Sequence, residues 1–596
     1  MSATPVAAPV RPPKAWQYIT LSLMALLILI PLWMMFVSLV LQPEYTVNPE
    51  VSMTNRLMWW LIAPVTAVAL FAGWRWQAAS TQAKAAQEAP ALQVEPAPPA
   101  ASTPVDEVAR REYVLEVIGL GVTLDKYRQG KLWEALQQGH AFGSIREQDP
   151  MKYPWSADDK RGQEGGRSAS TLENGVGRIP LYWPTPSFYA DGPIDTPADP
   201  STDENPAVGI VGGNDSNGLI WTLFVSAGFE LSEHPDRLLE KAFAFFDTYP
   251  DVPYLVIAAS DGLTLRNEAR PEGAPPLIKD GHYIPSMPDS SALFVLARRE
   301  RVEAIRPFAV EDVIEHTIED IEELNRRGLA RRIGVTYLGL MRAAQPRSKD
   351  AVHRNLTVPE WLAESAKLAK NPDFYPDRTI SFYADRLNPF GGGVVRAPEG
   401  FKPTPWFPVP WTKEQLAEFD ALPTLGYLHR PTYIKLTDQD GKPLQRRDAR
   451  TKALIQGWQQ ALLTLPEAQR KAAPARIVAS TGGDTDKFVA LSSLINTQAE
   501  AGGPELDAAK PSQWVNTDAR LGNTGAATWF VQMGIGVLAS HIDGGVSAAI
   551  NLRNDQEASV IFISPPPEDK RIKQNRANVF KNNTTPAIDP ANYSNN

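Results

Sequence analysis

Ser260, in the stretch "AASDG", follows an apolar run and is the residue of this sequence best placed to act as a nucleophile. A serine hydroxyl is weak without an adjacent base, and the Gly-x-Ser-x-Gly turn that would present it is absent. The chain contains 0 cysteines, which removes thiolate nucleophiles, thiolate metal sites and disulfides together. The histidines, His140, His234, His282, His316, His353, His429 and His541, are dispersed and have no partner at metal-type spacing, and no His-Glu-x-x-His occurs. Asp484 and Asp486 in "TGGDTD" supply too few ligands to argue for a cation. The turn "GGNDSNG" lacks the Gly-Lys-Ser/Thr ending of a phosphate loop and reads as a tight turn. The carboxylates of "DVIEHTIEDIEE" lie at helical spacing, as on a solvated face. No catalytic residue, cofactor or metal is expected. The rival is a serine-based acyl-transfer or hydrolytic enzyme acting near a membrane, which requires a base within hydrogen-bond reach of Ser260.

The elements that would position such residues begin with composition. The chain has 596 residues, 43% of them hydrophobic and 21% charged, with a net charge of −9. That is enough apolar residue for a large core and too little charge for a disordered chain. The acidic balance, with no long basic stripe, argues against a general nucleic-acid binder.

Two apolar runs open the chain, roughly 16–42 and 57–74. Each is long enough to span a bilayer, and the prolines within them, Pro31 and Pro64, are tolerated there. The first run is too long for a signal peptide and lacks a cleavage site. Trp33, Trp59, Trp60, Trp74 and Arg75 are candidate membrane-interface anchors. Arg11 and Lys14 precede the hairpin, Arg75 and Lys84 follow it, and the loop between carries Glu44, Glu50 and Arg56. The positive-inside rule then puts both ends in the cytoplasm. Neither span holds an ionisable residue, so the hairpin reads as an anchor and not a transport path. The expected order is a cytoplasmic tail at 1–15, a transmembrane helical hairpin at 16–76 and an Ala/Pro-rich linker at 77–105.

From residue 106 strand-like and helical patterns alternate, which argues for an α/β body. "VLEVIGLGVTL", "YLVIAAS" and "SALFVLA" read as strands, and "GNTGAATWFVQMGIGVLASHIDGG" as a turn and an apolar helix. Residues 142–205 read as loop, with "IPLYWPTPSFYADGP" wrapping the surface. Residues 311–450 change texture and read as an insertion, and 566–596 as a flexible tail. Within the insertion, Trp406, Phe407 and Trp411 lie among prolines, either packing on the core or serving as interface anchors for a partner.

Two resemblances follow. "VIGLGVTLDKYRQGKLWEAL", "YPDVPYLVIAASD", "LGNTGAA" and "HIDGGVSAAINLR" resemble segments of the thiolase-like, ketosynthase type fold. This implies two layered halves, at 106–310 and 451–565. It also implies a degenerate condensing site, because the chain has no cysteine and Asn523 stands where the catalytic histidine of that turn is expected. "RIPLYWPTPSFYADG", "VGIVGGNDSNGLIWTLFVSAGFELS", "DVPYLVIAASDG" and "WVNTDARLGNTGAATWFVQMGIGVLASHIDGGVSAAINLR" resemble the type VI lipase adapter family over most of 110–565. That resemblance implies a bacterial, non-catalytic adapter at the inner membrane. It would bind a phospholipase effector and help load it on the type VI secretion spike.

Overall fold

The computed structural model describes residues 113–581 apart from 181–184, 192–223, 232–233, 271–272, 311–362 and 364–397. The hairpin expected at 16–76, the linker at 77–105, most of the insertion and the turn "GGNDSNG" lie outside the described residues. Among those described, no helix is long and apolar enough to cross a membrane.

The first set of elements is β1 (Val114–Leu124), β2 (Tyr127–Arg128), α1 (Gly130–Gln137), α2 (Ala157–Val176), β3 (Thr185–Asp191), β4 (Phe224–Leu231), α3 (Leu238–Thr248), β5 (Tyr254–Asp261), α4 (Leu263–Glu268) and β6 (Ser290–Ala297). The second set is α5 (Lys413–Ala421), β7 (Gly426–His429), β8 (Thr432–Lys435), α6 (Arg447–Leu462), β9 (Arg476–Ser480), α7 (Thr485–Glu500), β10 (Trp514–Asn516), α8 (Thr528–Asp543), β11 (Ser547–Asn551), β12 (Glu557–Ser564) and α9 (Glu568–Arg576).

All the strands of the described residues join one mixed sheet, in the order β10-β9-β11-β12-β7-β1-β6-β5-β3-β4, with β2 on β1 and β8 on β12. Outward from the centre the two sides match. β1 is antiparallel to β6 as β7 is to β12, and β6 to β5 as β12 is to β11. β3 runs parallel to β5 and β4, as β9 does to β11 and β10. The halves meet where β1 and β7 pair antiparallel, from Val114 opposite His429 to Val117 opposite Gly426. The sheet is thus an internal duplication about a pseudo-two-fold axis at that seam. Its second half begins with β7 and β8, inside the range 311–450 that the sequence pattern assigned to an insertion.

Side-chain alternation assigns the layers. On β1, Gly119 and Gly121 face α2, while Leu120 and Val122 reach Gly534 of α8. The two helices therefore cover opposite faces of the strand. In the second half Ile477, Ala479, Ala548, Ile550, Val560 and Phe562 belong to one core with Leu454, Trp458 and Leu491 of α6 and α7. Val478, Ala549, Ile561 and Ile563 belong to the other core, with Trp529, Phe530 and Val537 of α8. The first fourteen residues of α8, Thr528–His541, are buried on every side, as their predominantly apolar composition favours, with Gln532, Ser540 and His541 among the polar residues within.

Four expectations are corrected. The region 142–205 is not all loop. It contains the twenty-residue α2, capped by Ser156, whose hydroxyl accepts from the Asp159 amide at 3.0 Å. Residues 185–191 do not wrap the surface: β3 is an interior strand, with Phe188 and Ala190 buried. The tail continues in order to residue 581, where α9 holds the end of α8 through Arg571 and Asn575 on the carbonyls of His541 and Ile542. Trp406, Phe407 and Trp411 are core residues, 3%, 2% and 3% exposed, and offer no surface as interface anchors. Trp406 meets Phe245 edge-on with ring centroids 5.2 Å apart, and Trp411 lies 5.4 Å from Phe419.

The α2–β1 contact depends on missing side chains. A Cβ at Gly121 would fall 1.8 Å from the Thr171 carbonyl oxygen, a backbone atom that cannot step aside. Gly162, on the exposed face of α2, has nothing within 4 Å. Gly121→Ala is expected to destabilise by about 3 kcal/mol or more through overpacking. Gly162→Ala is expected to stabilise by about 0.5–1 kcal/mol. Thermal unfolding of the two variants beside the parent checks both signs.

Candidate functional site

Asn523 sits in the turn between β10 and α8. Its neighbour Arg520 is buried and caps the C-terminal end of α1, donating to the carbonyls of Leu136 at 2.9 Å, Gln138 at 2.7 Å and Gly143 at 2.7 Å, and also to that of His140. That cation ties the turn to the first half. Asn523 itself is exposed. Its side-chain oxygen accepts from the Gly525 amide at 3.0 Å and from Arg553 at 2.7 Å. It shapes the turn and holds an arginine, and it has no proton to exchange near neutral pH.

The pseudo-two-fold axis brings corresponding ends of the halves together here. β5 ends at Asp261, opposite Ser290 of β6, and β11 ends at Asn551, opposite Ser559 of β12. Each reaches the start of the other half's helix. Asp261 accepts from the Ala526 amide, just before α8, at 2.7 Å. Asn551 donates to both oxygens of Asp236, just before α3, at 3.0 and 3.3 Å. An arginine follows each strand, Arg266 on α4 and Arg553 after β11. Asp236, Ala526, Asn551 and the two arginines line a cavity of about 330 Å³ together with His234, Pro235, Gly525, Asn554, Glu557 and Ser559, with Asp261 buried behind Arg266.

The charges are arranged unevenly. Asp261 is fully buried and is satisfied by Arg266, at 2.7 and 2.8 Å, by the Gly262 amide at 2.8 Å and by Ala526. Gly525 must be glycine, since a Cβ there would lie 1.8 Å from the Asp261 carboxylate. Arg553 donates to the Gly525 carbonyl at 2.8 Å, to the Thr528 hydroxyl and to Asn523. Burial pulls its guanidinium below the ordinary arginine range. Burial pushes Asp236 up to about 6, against the opposing effect of hydrogen bonds from Ser559 and Asn551.

Other sequence candidates fall elsewhere. The Ser260 hydroxyl is 2.9 Å from that of Ser291, and among the described residues it makes no hydrogen bond to a base. Asp484 caps α7, accepting from the amides of Asp486 and Lys487. His429 is buried between the Thr464 carbonyl and the Ser564 hydroxyl, and His541 donates from Nδ1 to the Leu425 carbonyl. Burial lowers both to about 4, so they are neutral packing groups. Among the described residues no three acidic or imidazole side chains gather as for a metal. Asp236, Asp261, Arg266, Asn551 and Arg553 were not singled out from sequence. Their signal is a polar residue ending each apolar strand, in "IAASDGLTLR" and "AAINLRNDQ".

The raised Asp236 value has a consequence for stability. The folded state keeps this proton to about pH 6, whereas the carboxyl's ordinary value is 3.8. The contribution is therefore fully present below that ordinary value and is lost as pH rises through 6. Asp236→Asn, which mimics the protonated form, is expected to unfold at higher temperature than the parent at pH 8. The gain should be on the order of 1–3 kcal/mol, should fall by about half at pH 5 and should vanish near pH 3. An equal effect at all these pH values contradicts this assignment.

Two family models match the chain: Type VI lipase adapter protein Tla3, N-terminal, over residues 113–280, and Type VI lipase adapter protein Tla3, C-terminal, over 425–565. The second match starts where the second half of the sheet starts. Similar solved structures include the oxazolomycin ketosynthase domain OzmH KS8 of Streptomyces albus, at 8% identity, covering 76% of this chain and 96% of that one with a TM-score of 0.35. A ketosynthase from module 6 of the bacillaene synthase of Bacillus subtilis is 8% identical, with coverage of 76% and 71% and a TM-score of 0.37. Xanthomonas campestris OleA bound with cerulenin is 10% identical, with coverage of 76% and 97% and a TM-score of 0.33. These likenesses are too slight to transfer any residue's role. The two family matches together take just over half of the sequence, one on each half of the duplicated sheet, and the chain belongs to the type VI lipase adapter family.

Proposed function

We propose that this protein is a non-catalytic adapter that binds a phospholipase effector and helps load it on the type VI secretion spike. It is held at the bacterial inner membrane by the hairpin at 16–76, with its body in the cytoplasm. The carrying observation is the family match on both halves of the body. Further support comes from the chemistry: the chain has 0 cysteines, Asn523 takes a turn role, and Ser260 is hydrogen-bonded to another serine. The tether is supported by the two apolar runs and the basic residues outside them. A stable complex with the effector would bury on the order of 1,600 Å².

The test is capture of partners by the tagged full-length chain, extracted in mild detergent from cells that carry it, with identification by mass spectrometry. Enrichment of a lipase and a spike component over an untagged control is expected. Their absence, together with ester hydrolysis by the purified chain that Ser260→Ala abolishes, would overturn the adapter reading.

The cysteine-free sequence also permits a clean topology measurement. A membrane-impermeant maleimide added to intact cells with a permeabilised outer membrane is expected to label Ser52→Cys, in the loop between the apolar runs. Ser102→Cys, in the linker, should react only after lysis. The opposite pattern would place the body outside the cytoplasm.

A further inference from the structure

We infer that the cavity on the pseudo-two-fold axis is a binding site for a small carboxylate anion, held by the guanidinium of Arg553 beside that of Arg266. Neither the adapter role nor the family match assigns a ligand to this cavity, and the inference does not depend on effector capture.

The argument begins with which charges are already met. Arg266 is fixed on Asp261 by two hydrogen bonds. Glu557 is engaged by Arg237 on both carboxylate oxygens. Asp236 receives Asn551 and Ser559. Arg553 differs, because its acceptors are a carbonyl, a hydroxyl and an amide oxygen, all neutral. Among the ion pairs of the described residues none involves Arg553. A partly buried guanidinium held on neutral acceptors alone lacks the two parallel hydrogen bonds and the opposite charge that a carboxylate supplies. The cation is also pre-positioned: three acceptors on one turn, at residues 523–528, fix it against the cavity wall, so little freedom is lost when a ligand arrives.

The size and the remaining walls narrow the ligand class. About 330 Å³ lies at the lower end of small-molecule sites. It suits a carboxylate on a short chain. Among the described residues Arg553 has no carboxylate within ion-pair distance, while Asp518, Asp261 and Asp236 act on it from farther off, so the site takes at most one further negative charge. A phosphate dianion would carry a second charge toward Asp236 and Glu557 on the facing side, where like charges repel. Asn551, Asn554 and His234 offer hydrogen-bonding groups for the rest of the molecule. The planar fork of a guanidinium matches a carboxylate better than a point cation does.

The same duplication that builds the sheet explains why the site lies here. The two strand ends, Asp261 and Asn551, are held by the helix starts of opposite halves, which opens a polar cleft between the arginine-bearing segments that follow them. Asp261 neutralises one arginine. At the corresponding place Asn551 carries no charge, and the second arginine is left for a ligand.

The experiment uses the purified full-length chain in detergent and follows thermal unfolding against butyrate, butyramide and inorganic phosphate, with calorimetric titration of whichever stabilises. Butyrate is expected to raise the unfolding temperature saturably, while butyramide has no effect and phosphate a much weaker one. Arg553→Gln should abolish the response. Because that change also frees the Asn523 turn, Asn554→Asp provides the second arm. It keeps the Asn554 oxygen that accepts from the Gln556 amide at 2.7 Å and adds one negative charge to the wall. It gives up the 3.4 Å contact of the Asn554 amide with His234, so its own unliganded unfolding serves as the baseline, and it should weaken butyrate at least tenfold. No saturable response to butyrate, an equal response to butyramide or phosphate, or an undiminished response in Asn554→Asp would each overturn the assignment. No effector is present in this assay, so its failure leaves the adapter role standing, and failure of effector capture leaves the site standing.

Discussion

A carboxylate at the end of a buried strand must be fully hydrogen-bonded or the strand cannot stay buried, and at Asp261 that requirement joins the two halves of this protein. Its partners are Arg266 and Gly262 from its own half and the Ala526 amide from the other. Removing any of them would leave charge in a low-dielectric interior, at a cost of several kcal/mol. The seam itself is short, four residue pairs between β1 and β7. Polar bridges of high sequence separation complete it. Asn551 reaches Asp236, Arg520 gathers the carbonyls at the end of α1, and the Trp133 indole donates to Asp543 at 2.9 Å. Each satisfies a group that would otherwise be buried unpaired.

This arrangement has a functional consequence. The place where two halves of a duplicated fold meet is a natural cleft, and here it is filled with groups that hold one another. The serine with a nucleophile's sequence position, Ser260, spends its hydroxyl on Ser291. The residue in the turn before α8, Asn523, orients Arg553. What remains open is a polar cavity with fixed arginines, suited to binding. Such a body is consistent with a protein whose task is to hold a partner, with surfaces outside the cavity available for it.

Much of the framework could be read from sequence because apolar strands announce themselves. β1, β5, β6, β11 and β12 are predominantly apolar, and α8 is apolar over most of its surface. What escaped is physically instructive. The buried face of α2 carries Lys160, Gln163, Glu164, Arg167, Ser170, Thr171 and Asn174, so no apolar stripe marks it as a packed helix. Its burial is supported by pairs that are distant in sequence, such as Arg167 on Asp289 at 2.8 Å. β3 is flanked by prolines, and Pro186 sits near its start, opposite Val225 of β4. Prolines also made Trp406, Phe407 and Trp411 look exposed, when the ring-lined interior is what fixes that segment. Of the site, only the Asn523 turn was legible locally. Asp236, Asp261 and Arg553 acquire meaning through contacts between halves, which one-dimensional pattern does not carry.

The most direct test of the account is export of the lipase from cells in which the gene for this chain has been deleted and then restored. The account predicts that deletion stops release of the lipase while other type VI cargo continues to be secreted, and that the full-length chain restores it. If the proposed tether is needed, a chain lacking residues 16–76 should restore it poorly. Undiminished lipase release after deletion would contradict the account at its centre.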